Sequence, residues 1–342
     1  MKAMILDAVT DVERNHAPLV FAEPPVPEPG TGEILVRVST CGVCHTELDE
    51  IEGRTPPPRY PVIPGHQVVG RVAKLGPGAR SWSVGDRVGV AWIHSACGKC
   101  RWCLAGKENL CADFRATGRD VDGGYAEYMT VRGDFAHAIP DAFSDAEAAP
   151  LLCAGAIGYR SLRLARLRDG ETLGLTGFGA SAHLVLMMAR HRYPASKVFV
   201  FARSGREREF ARELGAAWAG DTADEPPEPC AAVIDTTPAW KPVVEALRRI
   251  EPGGRLVVNA IRKEDADKRE LLRLDYAAHL WMEREIKSVA NVARGDVREF
   301  LEFAAAIPVR PGVEEYPLEE ANRALVELKR GSVRGAKVLR VS

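Results

Sequence analysis

The stretch that decides the fold is Leu173-Gly174-Leu175-Thr176-Gly177-Phe178-Gly179-Ala180-Ser181-Ala182. Its apolar start predicts a strand over residues 171–176, and a helix is predicted over residues 182–190. Between them lies a Gly-x-Gly-x-x-Ala motif, in which the first glycine makes a tight turn and the second lets a pyrophosphate approach the backbone. The helix N-terminus favours the anion. The predicted dinucleotide-binding residues are Gly177, Gly179, Ala180, Ser181 and Ala182.

Strands and helices alternate after this motif. Strands are predicted over residues 198–201, 232–235 and 255–258, and helices over residues 206–214 and 240–250. Such alternation is typical of a parallel, doubly wound sheet. The sequence therefore predicts an α/β, Rossmann-type domain over residues 154–289.

The end of the second strand in this alternation predicts which dinucleotide binds. In NAD-binding domains an acidic residue about 20 positions after the glycine motif bonds the ribose. Here the strand runs into Ala202-Arg203-Ser204-Gly205-Arg206, with no carboxylate before Glu207. Arg203 and Ser204 can hold the 2′-phosphate of NADP, which favours NADP(H) over NAD(H). The alternative is that these arginines are only solvated surface residues.

The first 153 residues have a different pattern. Short predicted strands over residues 34–38, 68–75, 87–90 and 125–131 are separated by turns rich in glycine and proline, which indicates a β-rich domain. Ser144-Asp145-Ala146-Glu147 predicts the start of a helix that runs to about residue 168. After residue 290, predicted helices over 297–306 and 318–329 and a strand over 337–341 return to this first domain.

Four of the eight cysteines lie within fifteen residues, at Cys97, Cys100, Cys103 and Cys111. Four thiolates at this spacing can close a tetrahedral zinc site, and such a site is structural because no position stays open. The sequence thus predicts a structural zinc lobe over about residues 92–115. In a chain of 342 residues without a visible secretory leader, metal ligation is a better reading than disulfides.

A second group of candidate ligands is spread along the chain. Cys41-Gly42-Val43-Cys44-His45-Thr46-Glu47 follows the predicted strand 34–38 and is expected on the loop that leaves it. His66 and Cys153 lie far off in sequence. Two thiolates and one imidazole suit zinc and leave a fourth position open for water or substrate, as in a catalytic site.

Composition excludes several other functions. The formal net charge is -1, with the two signs balanced, so nothing points to nucleic acid or to an anionic membrane. No apolar run approaches the ~20 residues that span a bilayer. An acid at Asp7 comes too early for a signal peptide, so a cytoplasmic protein is expected.

Together these segments, in this order, make the chain resemble the zinc-dependent medium-chain alcohol dehydrogenases over essentially its full length. The resemblance implies that Cys44, His66 and Cys153 are the catalytic zinc ligands and that Cys41 is a neighbouring thiol. It implies further roles for three residues next to Cys44. His45 would contact the cofactor pyrophosphate, Thr46 would accept the proton of the alcohol, and Glu47 would orient the ligand histidine from behind.

The chain departs from the family at three places. Gln67 stands where the family commonly has a glutamate beside the ligand histidine. Asp49 stands where many members have a histidine that passes the proton to solvent. Here Asp49 or the ribose hydroxyl would relay the proton, or it would be released by another route. Ala336, with Arg334 close by, stands where a pyrophosphate-binding arginine is common.

The resemblance implies an enzyme with two zinc ions per chain that transfers hydride between a nicotinamide cofactor and an alcohol, aldehyde or ketone. It also suggests a homodimer or homotetramer. Two alternatives remain open at this point. One is a reductase of activated double bonds without catalytic metal, and the other is an interaction module built on the four-cysteine lobe. Metal content separates them, since either alternative would hold one zinc at most.

Overall fold

The computed structural model describes residues 1–331 and 335–342, and it divides into two compact units. Unit 1 contains residues 1–153 and 292–342, and unit 2 contains residues 154–291. The chain thus leaves unit 1 after Cys153 and returns to it at Val292. Arg334, named above as a candidate near the cofactor, lies outside the described residues.

The first part of unit 1 is built mainly from strands with three short helices. The strands are β1 Ala3–Ile5, β2 Val20–Ala22, β3 Glu33–Val43, β4 Val68–Leu75, β5 Arg87–Val90, β6 Ile93–Ser95, β7 Arg115–Ala116, β8 Tyr128–Arg132 and β9 Ala136–Ala138. The helices are α1 His45–Ile51, α2 Arg101–Leu104 and α3 Asp145–Pro150, with 3₁₀ turns at Glu108–Leu110 and Gly133–Phe135 and a π turn at Leu151–Gly155.

Unit 2 alternates strands and helices. The strands are β10 Leu173–Thr176, β11 Val198–Phe201, β12 Trp218–Gly220, β13 Cys230–Asp235, β14 Ile250–Val258 and β15 Glu285–Ser288. The helices are α4 Ala156–Ala165, α5 Ala180–Arg192, α6 Gly205–Glu213 and α7 Lys241–Arg248, with a 3₁₀ helix at Lys268–Arg273 and a π turn at Tyr276–Leu280.

The returning segment completes unit 1. It contributes α8 Arg294–Ala306, β16 Val313–Pro317, a 3₁₀ turn at Leu318–Glu320, α9 Ala321–Lys329 and β17 Ala336–Arg340. β17 pairs antiparallel with β3, and its residue Lys337 lies opposite Val43. The main sheet has the order β16-β17-β3-β4-β5-β9, with β8 also on β3. Its core is aliphatic, because alternate residues of β3 and β4 are fully buried.

Unit 2 has one parallel sheet in the order β12-β11-β10-β13-β14-β15. The reversal of strand order beside β10 is the switch point where such sheets bind ligands. The predicted fold class is therefore confirmed: a Rossmann-type sheet, a β-rich unit and a four-cysteine lobe. No helix in the described part of the chain has the length and apolar character needed to cross a bilayer.

The structure differs from the sequence-based expectation in three places. Residues 41–47 do not form a loop, because β3 continues to Val43 and α1 begins directly after Cys44. The helical stretch predicted from Ser144 to about residue 168 is present from Asp145 to Ala165, with the capping box at Ser144, but five residues after Pro150 form a π turn within it. The sequence also did not predict eight short strands, β1, β2, β6, β7, β9, β12, β15 and β16, because none is longer than five residues and so short a run gives no clear periodicity.

Candidate active site

Cys44 occupies the N-cap position of α1. Its sulfur accepts a hydrogen bond from the backbone N–H of Thr46 at 3.3 Å, and its own N–H donates to Oε2 of Glu47 at 2.8 Å. This is a capping box with cysteine in the place usually taken by serine or threonine. The cap fixes a partly exposed thiol at the start of the helix. The hydrogen bond with Cys153, burial and the charge of Glu47 raise the pKa of the Cys44 thiol well above its ordinary value, so a bound metal is what would hold it as a thiolate.

His66 is held from behind by the same glutamate. Nδ1 of His66 lies 2.5 Å from Oε1 of Glu47, and both side chains are almost completely buried. Burial alone would raise the pKa of Glu47, but the charge of His66 and the hydrogen bonds to both carboxylate oxygens lower it. Because Nδ1 is occupied, Nε2 is the nitrogen left to bind a metal.

The turn before His66 requires glycine. Gly65 has φ +99°, and a Cβ there would lie 2.4 Å from the ring of Tyr125 and 2.8 Å from the sulfur of Cys41. The Cys41 thiol is fully buried in this packing. The carboxamide of Gln67, the residue after His66, packs against Gly42. A Cβ at position 42 would come within 2.6 Å of Oε1 of Gln67.

Cys153 lies in the π turn that follows α3. A π turn inserts an extra residue into a helical stretch and rotates the side chains after it, and such turns are frequent at functional sites. The extra residue follows Pro150, which cannot donate a backbone hydrogen bond to the preceding turn. The π turn thereby sets the direction of the Cys153 side chain.

The structure brings these three residues together within unit 1. The ligand atoms of Cys44, His66 and Cys153 all lie within 4.8 Å of one another, and the Cys44 sulfur is 3.7 Å from Nε2 of His66. A tetrahedral zinc with its usual bond lengths needs ligand atoms about 3.5–3.8 Å apart. The donor set and its spacing therefore fit zinc with one position open.

The four cysteines of the lobe form a second group with the same fit. Cys103 lies 3.8 Å from Cys97 and 3.6 Å from Cys100, measured between sulfurs, and Cys111 completes the cluster. The four residues are the only such all-sulfur group among residues 1–331 and 335–342. They fit a closed, structural zinc site.

Three predicted site residues lie on α1 beside Cys44. His45 is exposed at the first position of the helix, and Thr46 is half-buried. Asp49 is buried, and its Oδ1 accepts a hydrogen bond from Nε of Arg54 at 2.6 Å. Arg54 also pairs with Glu52, which in turn binds Lys329 at 3.0 Å. The residue expected at the proton-relay position is thus a carboxylate that already accepts a hydrogen bond from an arginine.

In unit 2, the two glycines of the dinucleotide motif differ in whether the fold itself requires them. Gly177 has φ +76°, and a Cβ there would come within 2.9 Å of Thr237. Gly179 has an ordinary φ of -92°, and a Cβ there would meet no atom of the protein within 4 Å. Nothing internal requires glycine at 179, so the free space fits a group that approaches from outside. Ala182 is fully buried against the sheet, while Gly179 and Ala180 are exposed.

Arg203 and Ser204 follow β11 at the same edge of the sheet. Both are exposed, and the Ser204 hydroxyl caps α6 by accepting from the N–H of Glu207 at 3.4 Å. Nη1 of Arg208 donates to the carbonyls of Ala202 and Arg203 at 2.7 and 2.9 Å, so the loop is fixed through its backbone. The Arg203 guanidinium is therefore available to a ligand.

Sequence reasoning missed several residues that shape these sites. Arg54 and Arg208 are surface-type residues with no motif, and only the contacts reveal them. Asp235 was recognisable, because it is a lone carboxylate at the end of a predicted apolar strand, and it is fully buried. Cys230 follows Pro226-Pro227-Glu228-Pro229, a stretch typical of a loop, but it is the buried first residue of β13.

Comparison with known proteins shows that the chain is similar to alcohol dehydrogenases. The family described as "Alcohol dehydrogenase GroES-like domain" matches residues 30–141. The "Probable alcohol dehydrogenase AdhA" of Mycobacterium tuberculosis is 45% identical over 330 residues, which cover 95% of this chain and 93% of that protein. An "Alcohol dehydrogenase" of Geobacillus stearothermophilus is 35% identical over 319 residues, covering 91% and 92%.

Solved structures agree in fold. A cinnamyl alcohol dehydrogenase from Sorghum bicolor superposes with a TM-score of 0.83 at 26% identity, covering 99% of this chain and 98% of that one. The alcohol dehydrogenase of Aeropyrum pernix has a TM-score of 0.86 at 24% identity, and each chain is covered completely.

Proposed function

Since the chain belongs to the zinc-dependent medium-chain alcohol dehydrogenase family, we propose that it interconverts an alcohol and its aldehyde or ketone with NADP(H) as the preferred cofactor. It is an oxidoreductase that acts on small-molecule alcohols. Neither alternative raised by the sequence is favoured. The observation that carries the proposal is the convergence of Cys44, His66 and Cys153 on one point.

The residues near that point have distinct roles in this reaction. Cys44, His66 and Cys153 hold the catalytic zinc, while Glu47 keeps Nδ1 of His66 occupied and fixes the ring. When bound, zinc supplies polarisation of the substrate oxygen, and the nicotinamide ring gives or takes the hydride.

The hydroxyl of Thr46 takes the proton of the alcohol during oxidation and returns it during reduction. Asp49 or the cofactor ribose hydroxyl relays this proton onward. The contact between Asp49 and Arg54 favours the ribose hydroxyl as the proton relay, because a carboxylate paired with a guanidinium is a poor proton acceptor.

The first experiment is a zinc determination on fresh protein, together with oxidation of NADPH and NADH against a panel of aldehydes and ketones. We expect two zinc ions per chain and reduction driven by NADPH. One zinc ion and no carbonyl turnover would refute the proposed function and return the reductase without catalytic metal to consideration.

The preference for NADP(H) rests on Arg203. We expect Arg203→Asp to weaken NADPH binding by about tenfold or more while NADH binding changes little, because only NADPH carries the 2′-phosphate that a guanidinium binds. Fluorescence titration with each cofactor measures this. Arg192→Asp, which makes the same charge change at the far end of α5, is the matched control. Equal losses for both cofactors would contradict the preference.

We further propose that the chain forms a homodimer through β15. Every residue of β15 is exposed, and β15 pairs only with β14 among the described residues. The segment that leads into β15 and the strand itself carry large apolar side chains that are about half-exposed or more: Leu272, Tyr276, Trp281, Met282 and Ile286. An unpaired edge strand with an apolar surround is a site for strand addition.

The charged residues of β15 are complementary to those of a second copy of the same strand. If two β15 strands pair antiparallel about a two-fold axis at Ile286, Glu285 lies opposite the partner subunit's Lys287. We expect Ile286→Lys to halve the mass measured by light scattering, because two lysines would then face each other on the axis. Val84→Lys, at an exposed position of unit 1, is the control. An unchanged mass would rule out this interface.

A further inference from the structure

A buried ion pair lies at the carboxyl edge of the unit 2 sheet and is not used in the mechanism above. Nζ of Lys263 contacts Oδ2 of Asp235, and the two side chains are 8% and 0% exposed. Asp235 ends β13, which is the strand next to β10. Lys263 comes from the segment that follows β14. Burying two charges costs several kcal/mol per ion, so a pair of this kind calls for a physical explanation.

The carboxylate of Asp235 organises the turn that contains the first glycine of the dinucleotide motif. Its Oδ1 accepts from the hydroxyl of Thr176 at 2.6 Å and from the hydroxyl of Thr237 at 2.7 Å. Thr176 is the residue directly before Gly177. Thr236 and Thr237 lie against the face of Gly177 where a Cβ would be, at 3.0 and 2.9 Å. The carboxylate therefore holds both sides of this turn.

The ammonium of Lys263 holds the neighbouring segments. It donates to the carbonyls of Thr237 and Ala239 at 2.8 and 3.0 Å. Two backbone bonds run between the same segments, from Asn259 N to the Asp235 carbonyl and from Glu264 N to the Pro238 carbonyl, each 2.8 Å. Lys263 thus ties the loop after β14 to the loop after β13.

A further contact links this loop to the motif itself. The carboxamide of Asn259 donates to the Ser181 hydroxyl at 3.2 Å. Ser181 belongs to the first turn of α5, whose N-terminus faces the predicted pyrophosphate position. The loops after β10, β13 and β14 are therefore joined into one hydrogen-bonded assembly.

We propose that Asp235 and Lys263 are positioning residues for the dinucleotide: they fix the turn at Gly177 and the two loops beside it in the shape that accepts the cofactor. This inference rests on the proposed function, since it assumes that unit 2 binds a nicotinamide dinucleotide. The lysine has a second effect. It neutralises a carboxylate that would otherwise lie unpaired near a doubly charged pyrophosphate.

The test is direct cofactor binding by Lys263→Met, measured by fluorescence titration with NADPH and NADH in the absence of substrate. We expect the dissociation constant for both cofactors to rise by about tenfold or more, because positioning bonds are lost and an unpaired carboxylate remains. In steady state, the KM for the cofactor should rise while kcat at saturating cofactor changes by less.

Lys337→Met is the matched control. The Lys337 side chain is even more completely buried, at 0% exposed against 8% for Lys263, and its ammonium binds Tyr316, Glu314 and Glu327 in unit 1. This variant should lose thermal stability and keep its cofactor affinity. If Lys337→Met weakens the cofactor as much as Lys263→Met, the effect is general destabilisation and the inference is wrong.

The double variant Asp235→Asn, Lys263→Met covers the case in which the single variant fails to fold. Replacing both members of a buried pair with neutral groups is often nearly neutral for stability, whereas removing one is not. We expect the double variant to regain stability but to bind cofactor more weakly than the parent, because the bonds from Lys263 to Thr237 and Ala239 are still absent. Parental affinity in the double variant would overturn the inference. Absence of any cofactor binding by the parent protein would instead refute the proposed function itself.

Discussion

Replacing Cys44 with alanine is expected to lower kcat/KM about a thousandfold or more, which corresponds to about 4 kcal/mol of transition-state stabilisation. The thiol is one of three protein ligands at the proposed catalytic zinc, and two remaining ligands rarely hold the metal. Cofactor binding should be unaffected, since the dinucleotide motif lies in the other unit. Zinc per chain should fall by one.

Cys41→Ala is the control for that experiment. Cys41 lies three residues earlier, is fully buried on β3, and lies outside the group of ligand atoms. Its removal should cost about 1 kcal/mol in stability from a small cavity and should leave both zinc ions in place. Normal turnover by Cys44→Ala would remove Cys44 from the ligand set.

A graded result is expected from Glu47→Gln. The amide can still accept from the N–H of Cys44, but it loses the negative charge that faces Nδ1 of His66. Loss of such an outer carboxylate typically costs 10- to 100-fold in metal affinity. The variant should therefore retain zinc at high metal concentration and lose it to a chelator faster than the parent does. Unchanged chelator kinetics would argue that Glu47 does not support the metal.

The second large effect is expected at the four-cysteine lobe. Cys103→Ala should release one zinc ion and destabilise unit 1 by about 3–5 kcal/mol, lowering Tm by about 10 °C. The reason is that this lobe has little core of its own: α2 has four residues, and Leu104 and Leu110 are largely exposed. The metal replaces the missing apolar packing.

Differential scanning calorimetry with zinc analysis measures this effect. The control is Cys230→Ala. Cys230 is a buried thiol on β13 of unit 2 and belongs to neither group of candidate metal ligands. This variant should lose no zinc. Below the transition temperature, Cys103→Ala should turn over substrate within about twofold of the parent, because its site is structural. A folded Cys103→Ala with unchanged Tm would contradict the structural role of the lobe.

Destabilisation at the lobe would also reach the returning segment of the chain. Arg294, the first residue of α8, donates to Oε1 of Glu108 at 2.7 Å and to the Asp134 carboxylate at 3.1 Å. Glu108 is nearly completely buried within the lobe. If the lobe unfolds, this buried carboxylate loses its arginine, so the two effects should appear in one transition.

The sequence predicted those parts of the molecule in which local spacing determines the geometry. The glycine motif and the four-cysteine group are of this kind, and the apolar strands over residues 68–75, 87–90 and 198–201 have the bounds that were expected. Each of these strands contains a run of buried apolar residues, which is continuous in Val198–Phe201, and this gives the strand signal its strength. The fold class followed from the same regularities.

What could not be predicted depends on contacts between distant residues. The π turn at Cys153 depends on packing around Pro150, and no periodicity signals it. β15 is exposed on all four residues, so it lacks the alternation that reveals a strand. The links from Arg54 to Asp49 and from Lys263 to Asp235 join ordinary charged residues, and only the folded chain shows that they are partners.

The interrupted course of unit 1 has a consequence for how the protein is made. β17 lies beside β3, and Lys337 pairs with Val43, the residue just before Cys44. All three proposed ligands of the catalytic metal have been synthesised once residue 153 is added. The strand beside the first of them, β17, is synthesised almost two hundred residues later. Unit 2, which is continuous, can fold during this interval. The metal centre therefore acquires its complete support only at the end of translation, and a ribosome that stalls before residue 336 would release a chain able to bind the dinucleotide while its catalytic metal remained poorly held.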